Sequence, residues 1–150
     1  MRLARLLALA CALAPLACGG TPASPAAFQA APRREQTLDN GVKIEVIAEG
    51  RGPEAVAADR VEIHYTLYLE DGTLIDDSHD GKPTSFLILE DDSLIEGLQH
   101  GMLGMRAGEL RRVWVPARLG YADRRVGAIP PRARLRFDVE LMDLHPNPYD

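Results

Sequence analysis

Hydrophobic and polar residues alternate along much of this chain, a pattern typical of β-strands with one buried face. Residues 60–69 show it over the longest stretch, and Asp71-Gly72 just after them indicates a tight turn. The hydrophobic positions of this run are Val61, Ile63, Tyr65, Leu67 and Leu69. Further runs predict strands at residues 42–47, 84–89, 110–115 and 134–144.

A single stretch departs from this alternation and has helical spacing. Asp92-Ser93 can cap its start, and three glycines within it lower its helix propensity, so packing onto a sheet has to stabilise it. The residues that would share its hydrophobic face are Leu94, Ile95, Leu98, Met102 and Met105. These elements predict an α+β fold in which an antiparallel, bent sheet of five or six strands wraps around one short helix.

The first 17 residues have the composition of a signal peptide. Arg2 and Arg5 precede an uninterrupted apolar run at residues 6–17. A helix of this run would span only about 18 Å, whereas the hydrocarbon core of a bilayer is about 30 Å thick. The run is therefore too short to cross a membrane, and we expect residues 1–17 to be a signal peptide that directs the protein out of the cytoplasm.

Small residues surround a cysteine where the apolar run ends, at Leu16-Ala17-Cys18-Gly19-Gly20. This stretch resembles the lipobox of bacterial lipoproteins, although Pro15 stands where that pattern favours leucine. The resemblance implies that Cys18 becomes the lipidated N-terminus and anchors the protein to a membrane on the periplasmic side of the cell envelope. The alternative is ordinary signal cleavage near Ala17, with Cys18 incidental.

Composition divides the rest of the chain into a tether, a domain and a tail. Residues 18–36 are rich in Gly, Pro, Ser and Ala without periodicity, and we expect them to form a flexible tether. The folded domain is expected at residues 37–146 and a short tail at residues 147–150. Cys11 and Cys18 are the only cysteines, so this domain has neither an internal disulfide nor a thiolate metal site.

Charge and motif content argue against several classes of function. Arg2 and Arg5 are two of 17 basic residues; without them 15 remain against 22 acidic ones, and this net charge of −7 disfavours nucleic acid or an anionic membrane surface as principal partner. Gly50-Arg51-Gly52 is followed by Pro53 and a strand, whereas a dinucleotide-binding turn must open a helix. The four histidines lack the spacing of metal ligands.

Residues 120–141 combine a rigid loop with the last predicted strand. Pro130 and Pro131 fix the backbone and cannot extend a helix or an interior strand, so they hold the loop beside the sheet. Tyr121 and Ile129 lie on this loop, and Phe137 lies on the hydrophobic face of the strand. Such a loop against a hydrophobic sheet predicts a small apolar pocket.

The order of these segments resembles the FKBP-type peptidyl-prolyl cis-trans isomerases over about residues 41–145, which implies an FKBP-like fold. The positions that match the pocket of that family are Tyr65 in HYTLYLEDG, Ile75 and Asp76 in GTLIDDS, Phe86 in KPTSFLI, Leu94 and Ile95 in SLIEGL, Leu98, Tyr121, Ile129 and Phe137. Leu98 takes the place of a tryptophan at the pocket floor.

This resemblance implies a reaction and a role for each position. The protein would isomerise Xaa–Pro bonds, with Tyr65, Asp76 and Tyr121 as catalytic residues and the backbone N–H of Ile95 bound to a substrate carbonyl. The substrate-binding residues would be Ile75, Phe86, Leu94, Ile95, Leu98, Ile129 and Phe137. The implied partners are proline-containing polypeptides. The protein would be a monomer that needs no cofactor and no metal, and it would assist the folding of exported proteins in the cell envelope.

The residue types suit this reaction. An Xaa–Pro bond rotates over a barrier of about 18–20 kcal/mol because twisting the amide loses its resonance. An apolar pocket removes the water that stabilises the planar amide, and contacts with the flanking residues then favour the twisted geometry.

Three departures from the family pattern leave a second hypothesis open. Ile75 replaces an aromatic residue, Thr84 stands at a usually apolar position, and Leu98 replaces tryptophan, so the pocket would be wider or less aromatic. The alternative function is a non-catalytic binding or chaperone module that holds apolar or proline-containing segments. Tyr65 could equally be a plain core residue, and Asp76 could cap a turn.

Overall fold

One antiparallel sheet of seven strands forms the body of the protein. The structure is a computed structural model that describes residues 22–148. Its strands are β1 (Arg34–Thr37), β2 (Lys43–Ala48), β3 (Arg60–Leu69), β4 (Leu74–Asp77), β5 (Thr84–Leu87), β6 (Leu110–Val115) and β7 (Leu135–His145). The strand order is β1-β2-β6-β7-β3-β4, and β5 pairs with the first half of β3 while β4 pairs with its second half.

A short helix, α1 (Glu96–Met102), covers one side of the sheet, which we call the inner face. Two 3-10 turns, Pro25–Gln29 and Ala117–Leu119, complete the regular structure. The core lies between α1 and the inner face, and it includes Val61, Ile63, Leu67, Leu98, Met102, Val113, Val115, Leu135, Phe137, Val139 and Leu141. The predicted α+β fold with an antiparallel sheet around one short helix is confirmed, with seven strands in place of five or six.

Two glycines bring α1 unusually close to β6. A Cβ atom on Gly97 would lie 2.3 Å from Cγ1 of Val115, and one on Gly101 would lie 2.3 Å from Cγ1 of Val113. Only glycine therefore fits at these positions without a shift of the helix or the strand. The residues that weaken the helix by propensity are the ones that let it pack.

The predicted start of the helix is wrong by several residues. Asp92-Ser93 does not cap α1, because the carboxylate Oδ1 of Asp91 accepts a hydrogen bond from the N–H of Ser93 at 2.9 Å and closes a local turn there. Leu94 and Ile95 follow in the connection to the helix, and Ile95 is the N-cap residue, with extended backbone angles (φ −60°, ψ 140°). The two side chains thus belong to the approach to α1 rather than to its hydrophobic stripe.

Two strands were not predicted from the sequence. All four residues of β1 are exposed, so this strand has no apolar alternation to reveal it. The other, β4, has only four residues, of which two are aspartates. Both are recognised only through their backbone pairing with β2 and β3.

Residues 22–33, here called the N-terminal segment, lie on the outer face of the sheet, opposite α1. Phe28 is only 4% exposed and packs with Ile47 and Leu110 in a second apolar cluster. Arg112 donates to the carbonyl oxygen of Phe28 at 2.6 Å, and the N–H of Ala23 donates to a carboxylate oxygen of Glu140 at 2.5 Å. This part of the chain therefore differs from the flexible tether predicted for residues 18–36.

The sheet also begins before the predicted domain boundary at residue 37, because β1 already pairs with β2. The predicted signal peptide at residues 1–17, the predicted lipidation site Cys18 and the end of the predicted tail, residues 149–150, lie outside the described residues. Within residues 22–148, no helix has the length and apolar character needed to cross a membrane.

Polar side chains cover the rest of the outer face. Arg112 forms ion pairs with Asp138 on β7 at 2.8 Å and with Glu45 on β2 at 3.5 Å. The guanidinium of Arg136 lies 4.0 Å from the ring centroid of Tyr68. Beyond the small cluster around Phe28, these contacts join neighbouring strands on the outer face through polar groups, and the main hydrophobic core lies on the inner face.

Candidate active site

A cavity of about 130 Å³ lies on the inner face, beside the start of α1. Its wall is formed by Tyr65, Leu67, Asp76, Phe86, Ser93, Leu94, Ile95, Leu98, Tyr121 and Phe137. These residues come from β3, β4, β5, α1, β7 and the loops before α1 and after β6. The fold thus gathers every predicted site residue except Ile75 and Ile129 around one cavity.

Tyr65 and Asp76 form a hydrogen-bonded pair in this wall. The Tyr65 hydroxyl donates to Oδ2 of Asp76 at 2.7 Å, and the N–H of Asp77 donates to Oδ1 of Asp76 at 2.9 Å. Burial of the phenol, followed by its bond to Asp76, raises the pKa of Tyr65 to about 12. The phenol therefore keeps its proton at neutral pH and holds the carboxylate in place at the cavity.

The aromatic ring of Tyr65 continues into the apolar part of the wall. Its centroid lies 6.1 Å from that of Phe137, and the two planes are inclined by 55°. Phe137 is 4% exposed and also belongs to the core, so one side chain serves both the fold and the cavity. Tyr65 is only half-buried, which distinguishes it from a plain core residue.

Tyr121 brings a second phenol to the cavity from the loop that follows β6. The loop turns tightly here, because the N–H of Arg124 donates to the carbonyl oxygen of Tyr121 at 3.0 Å. Among residues 22–148, no group makes a hydrogen bond with the Tyr121 hydroxyl. This hydroxyl is therefore available to a bound molecule, unlike that of Tyr65.

The approach to α1 presents a backbone donor on the same side. Gln99 holds this approach by donating from Nε2 to the carbonyl oxygens of Asp91 at 3.0 Å and Leu94 at 2.8 Å. The N–H of Ile95 donates to no acceptor within the described residues, as is usual for the first N–H groups of a helix. A substrate carbonyl in the cavity could accept from it, which is the role predicted for Ile95.

Two residues predicted to bind substrate are placed elsewhere. Ile129 is 3% exposed and belongs to the core, because two hydrogen bonds between its backbone and that of Val126 close a tight turn that leaves it buried. Ile75 packs against the core without forming part of the cavity wall. Asp76 is paired with Leu67 and so shares its side of the sheet, whereas Ile75 has no partner on β3, because the register of β4 against β3 shifts between Leu67 and Tyr68.

Leu67 and Ser93 line the cavity but were not predicted. Leu67 lies two residues after Tyr65 in β3, so strand alternation places both on one face and could have found it. Ser93 carries no comparable signal, since it reaches the cavity only through the turn at Asp91.

The protein has larger cavities, but their walls suit this chemistry less well. One of about 340 Å³ lies at the other end of α1 and is lined by charged side chains that include Arg34, Glu54 and Arg111. Such walls would keep an amide solvated. Within residues 22–148, no group of three or more His, Cys, Asp or Glu side chains could hold a metal ion.

The size of the smaller cavity fits a small ring. An apolar cavity of about 150 Å³ in a protein core admits benzene, so a cavity of about 130 Å³ can hold the five-membered ring of proline. Leu98, which is fully buried, forms part of its wall. The substitutions at positions 75 and 98 have therefore not opened the site into a wide groove.

Comparison with known proteins agrees with this geometry. The sequence profile of the family described as "FKBP-type peptidyl-prolyl cis-trans isomerase" matches residues 52–142. The chain belongs to this family. The matched range contains every residue of the cavity wall.

Matches to individual FKBP-type relatives cover most of each relative's length. The "FK506-binding protein" of Neisseria meningitidis serogroup B is 39% identical over 106 residues, which are 70% of this chain and 97% of the relative. The "Peptidyl-prolyl cis-trans isomerase FPR2" of Saccharomyces cerevisiae is 44% identical over 110 residues, 71% of this chain and 81% of the relative.

Solved structures show the same FKBP fold. The crystal structure of FkpA from Escherichia coli has a TM-score of 0.69 and 32% identity; the match covers 77% of this chain and 54% of FkpA. That of AtFKBP13 has a TM-score of 0.67 and 31% identity, and covers 73% of this chain and 98% of the other. The protein is thus an FKBP-type peptidyl-prolyl cis-trans isomerase, and the individual residue roles stay predictions.

Proposed function

We propose that this isomerase acts on the Xaa–Pro bonds of exported proteins and assists their folding in the cell envelope, as a monomer anchored through lipid on Cys18. The observation that carries the catalytic part is the small cavity, whose apolar side chains lie beside one free phenol and one free backbone N–H. The signal-peptide composition of residues 1–17 and the small residues around Cys18 support the location.

The cavity wall suggests how the bond would be twisted. A proline ring held against Phe86, Leu98 and Phe137 would be shielded from water, and the planar, more polar amide loses solvation there. The Tyr121 hydroxyl and the Ile95 N–H can each donate to a substrate carbonyl, so the flanking peptide would be held while the amide rotates. Interactions that are stronger in the twisted geometry than in the planar one lower the barrier.

Substrate selectivity tests this function directly. The cavity wall offers apolar side chains and an anionic Asp76, so burying an unpaired glutamate before proline should cost several kcal/mol. We expect kcat/KM for a Leu-Pro peptide to exceed that for a Glu-Pro peptide by about tenfold or more, since tenfold corresponds to only about 1.4 kcal/mol. The measurement is a protease-coupled or NMR-exchange assay on the chain without residues 1–17.

The same assay separates the possible failures. Equal rates for the two peptides would show that the cavity does not enclose the residue before proline. Saturable binding of both peptides without any acceleration would instead favour a non-catalytic binding module. The uncatalysed rate of each peptide, measured without the protein, provides the baseline.

A further inference from the structure

We propose that the N-terminal segment holds the outer face of the sheet toward the bilayer and thereby turns the active-site cavity away from it, toward the aqueous side. This proposal rests on the lipid anchor at Cys18 proposed above. The observation behind it is that residues before the predicted domain boundary at residue 37 are bound to the outer face of the sheet.

The N-terminal segment crosses the outer face strand by strand. Its contact with Glu140 lies on β7, its contacts with Arg112 and Leu110 lie on β6, and its contact with Ile47 lies on β2. The chain then passes to the edge of the sheet, where the N–H of Arg33 donates to the carbonyl oxygen of Val46 at 2.8 Å and β1 begins. One buried aromatic side chain, Phe28, is its main apolar contact.

Docking of this segment shortens the connection to the lipid. Ala23, the first docked position, lies five residues after Cys18, and five extended residues span at most about 18 Å. Without docking, the first held residue would be Arg34, the first residue of β1 and 16 residues after Cys18, and 16 extended residues span at most about 58 Å. Docking of the segment therefore shortens by about two thirds the greatest distance that the chain allows between the lipid and the domain.

The short connection also selects which side of the sheet faces the bilayer. Strand side chains alternate between the two faces, so Tyr65 and Phe137 point to the inner face, while Arg112 and Glu140 point to the outer face. The connection starts on the outer face, and the cavity opens on the inner one. A polypeptide substrate would then reach the cavity from solution without passing between the domain and the membrane.

Trp114, the only tryptophan, is a natural reporter of this arrangement because it lies on the outer face, two residues after Arg112 on β6. Its indole N–H donates to Glu45 on β2, which fixes the ring there. We suggest measuring energy transfer from Trp114 to dansyl-labelled lipid in vesicles that carry the purified full-length lipoprotein. A flexible Gly/Ser insertion of about 12 residues between positions 21 and 22 should lower the transfer by about half, because flexible linkers lengthen as the square root of residue number. The same insertion after Asp150 is the matched control and should change nothing.

A second pair of variants tests the orientation itself. Val126 is exposed on the loop that carries Tyr121, so Val126→Trp in a Trp114→Phe background moves the donor to the cavity side. We expect its transfer to be about half that of Trp114 or less. Phe28→Ser, which removes the main apolar contact, should equalise the two donors and speed hydrogen exchange of the Ala27 and Arg33 amides by about tenfold or more.

The outcomes distinguish this proposal from the anchor on which it rests. Mass spectrometry of the purified chain reports the lipid on Cys18 directly, and its absence would overturn the anchor and this proposal together. A lipidated chain in which Trp114 and Trp at position 126 transfer equally, or in which the insertion at residue 21 has no effect, would overturn the orientation alone.

Discussion

At the scale of single residues, the two tyrosines of the cavity have different tasks because their hydroxyls have different partners. The Tyr65 hydroxyl is committed to Asp76 at 2.7 Å, whereas that of Tyr121 makes no hydrogen bond within residues 22–148. A committed hydroxyl fixes the shape and charge of the wall. A free one can form a bond that strengthens as the substrate amide twists, which is the kind of interaction that accelerates a reaction.

Removing that free hydroxyl should therefore affect the rate more than the fold. One hydrogen bond contributes about 0.5–1.5 kcal/mol net, so we expect Tyr121→Phe to lower kcat/KM by several-fold with little change in Tm. Asp76→Ala should act in the same direction. Phe137→Ala is the contrasting variant, since emptying a buried phenylalanine site costs about 3–5 kcal/mol of stability.

Melting temperature and isomerase rate, measured for each of the three variants, would test whether Tyr121 and Asp76 act in catalysis. If Tyr121→Phe and Asp76→Ala keep full activity while Phe137→Ala only unfolds, the proposed residue roles are wrong. The cavity would then act through its apolar walls alone.

The pair of Tyr65 with Asp76 predicts a dependence on pH. The pKa of Tyr65 rises from 10.0 to about 12 in the folded protein, so the folded state retains the phenolic proton more strongly than the unfolded state does. The resulting stabilisation is complete below pH 10 and disappears as pH rises toward 12. We expect the stability difference between wild type and Tyr65→Phe, measured by urea denaturation, to shrink across this interval; a difference that stays constant would contradict the assigned pairing.

At the scale of elements, α1 is held to β6 by close packing and by one buried cation. Gly97 and Gly101 permit the close approach. Arg111 on β6 donates to the carbonyl oxygens of Gly101 and Leu103 at 2.8 Å each, and so satisfies the end of the helix. Its charge is balanced by the equally buried Glu109, although burial still lowers the pKa of Arg111.

This packing predicts that alanine at position 101 is harmful despite its better helix propensity. Alanine is favoured over glycine by about 0.5–1 kcal/mol within a helix, but its Cβ would clash with the stiff, β-branched Val113. We expect Gly101→Ala to lower the free energy of unfolding by about 1–3 kcal/mol. Gly81→Ala is the matched control, because that glycine is exposed and its nearest outside atom would lie 4.0 Å from the new Cβ.

Chemical denaturation of both variants is the measurement. A Gly101→Ala protein as stable as wild type would show that α1 can move away from β6 at no cost. In that case the position of the Ile95 N–H at the start of the helix would be less firmly set than the packing indicates.

At the scale of the whole molecule, the proposed location depends on a single residue outside the described structure. Lipid anchoring comes from buried acyl chains, and each buried methylene contributes about 0.8 kcal/mol. We expect Cys18→Ala to move the protein from the membrane fraction to the soluble fraction while isomerase activity per molecule stays unchanged. Detergent-phase partitioning that is the same for both proteins would contradict the anchor.

Local sequence patterns predicted some elements of the sheet and missed others. The strands predicted at residues 60–69 and 110–115 match β3 and β6 residue for residue. In residues 60–69 the signal is hydrophobic alternation, the period expected of a strand with its apolar face on the core. The polar strand β1 and the start of α1 were missed, since they depend on pairing with β2 and on the turn at Asp91.

What the sequence by itself determined was the α+β fold, the family and most of the cavity wall. The fold class follows from burial periods, which are a local property of the chain, whereas the family and the wall residues follow from the resemblance of its ordered segments to the FKBP pattern. Tertiary structure alone decided that Ile129 is core, that Asp76 bonds to Tyr65, and that the N-terminal segment is docked through Phe28. A composition rich in Gly, Pro, Ser and Ala indicates a flexible chain unless a distant surface binds it, and that surface exists only once β2, β6 and β7 lie side by side.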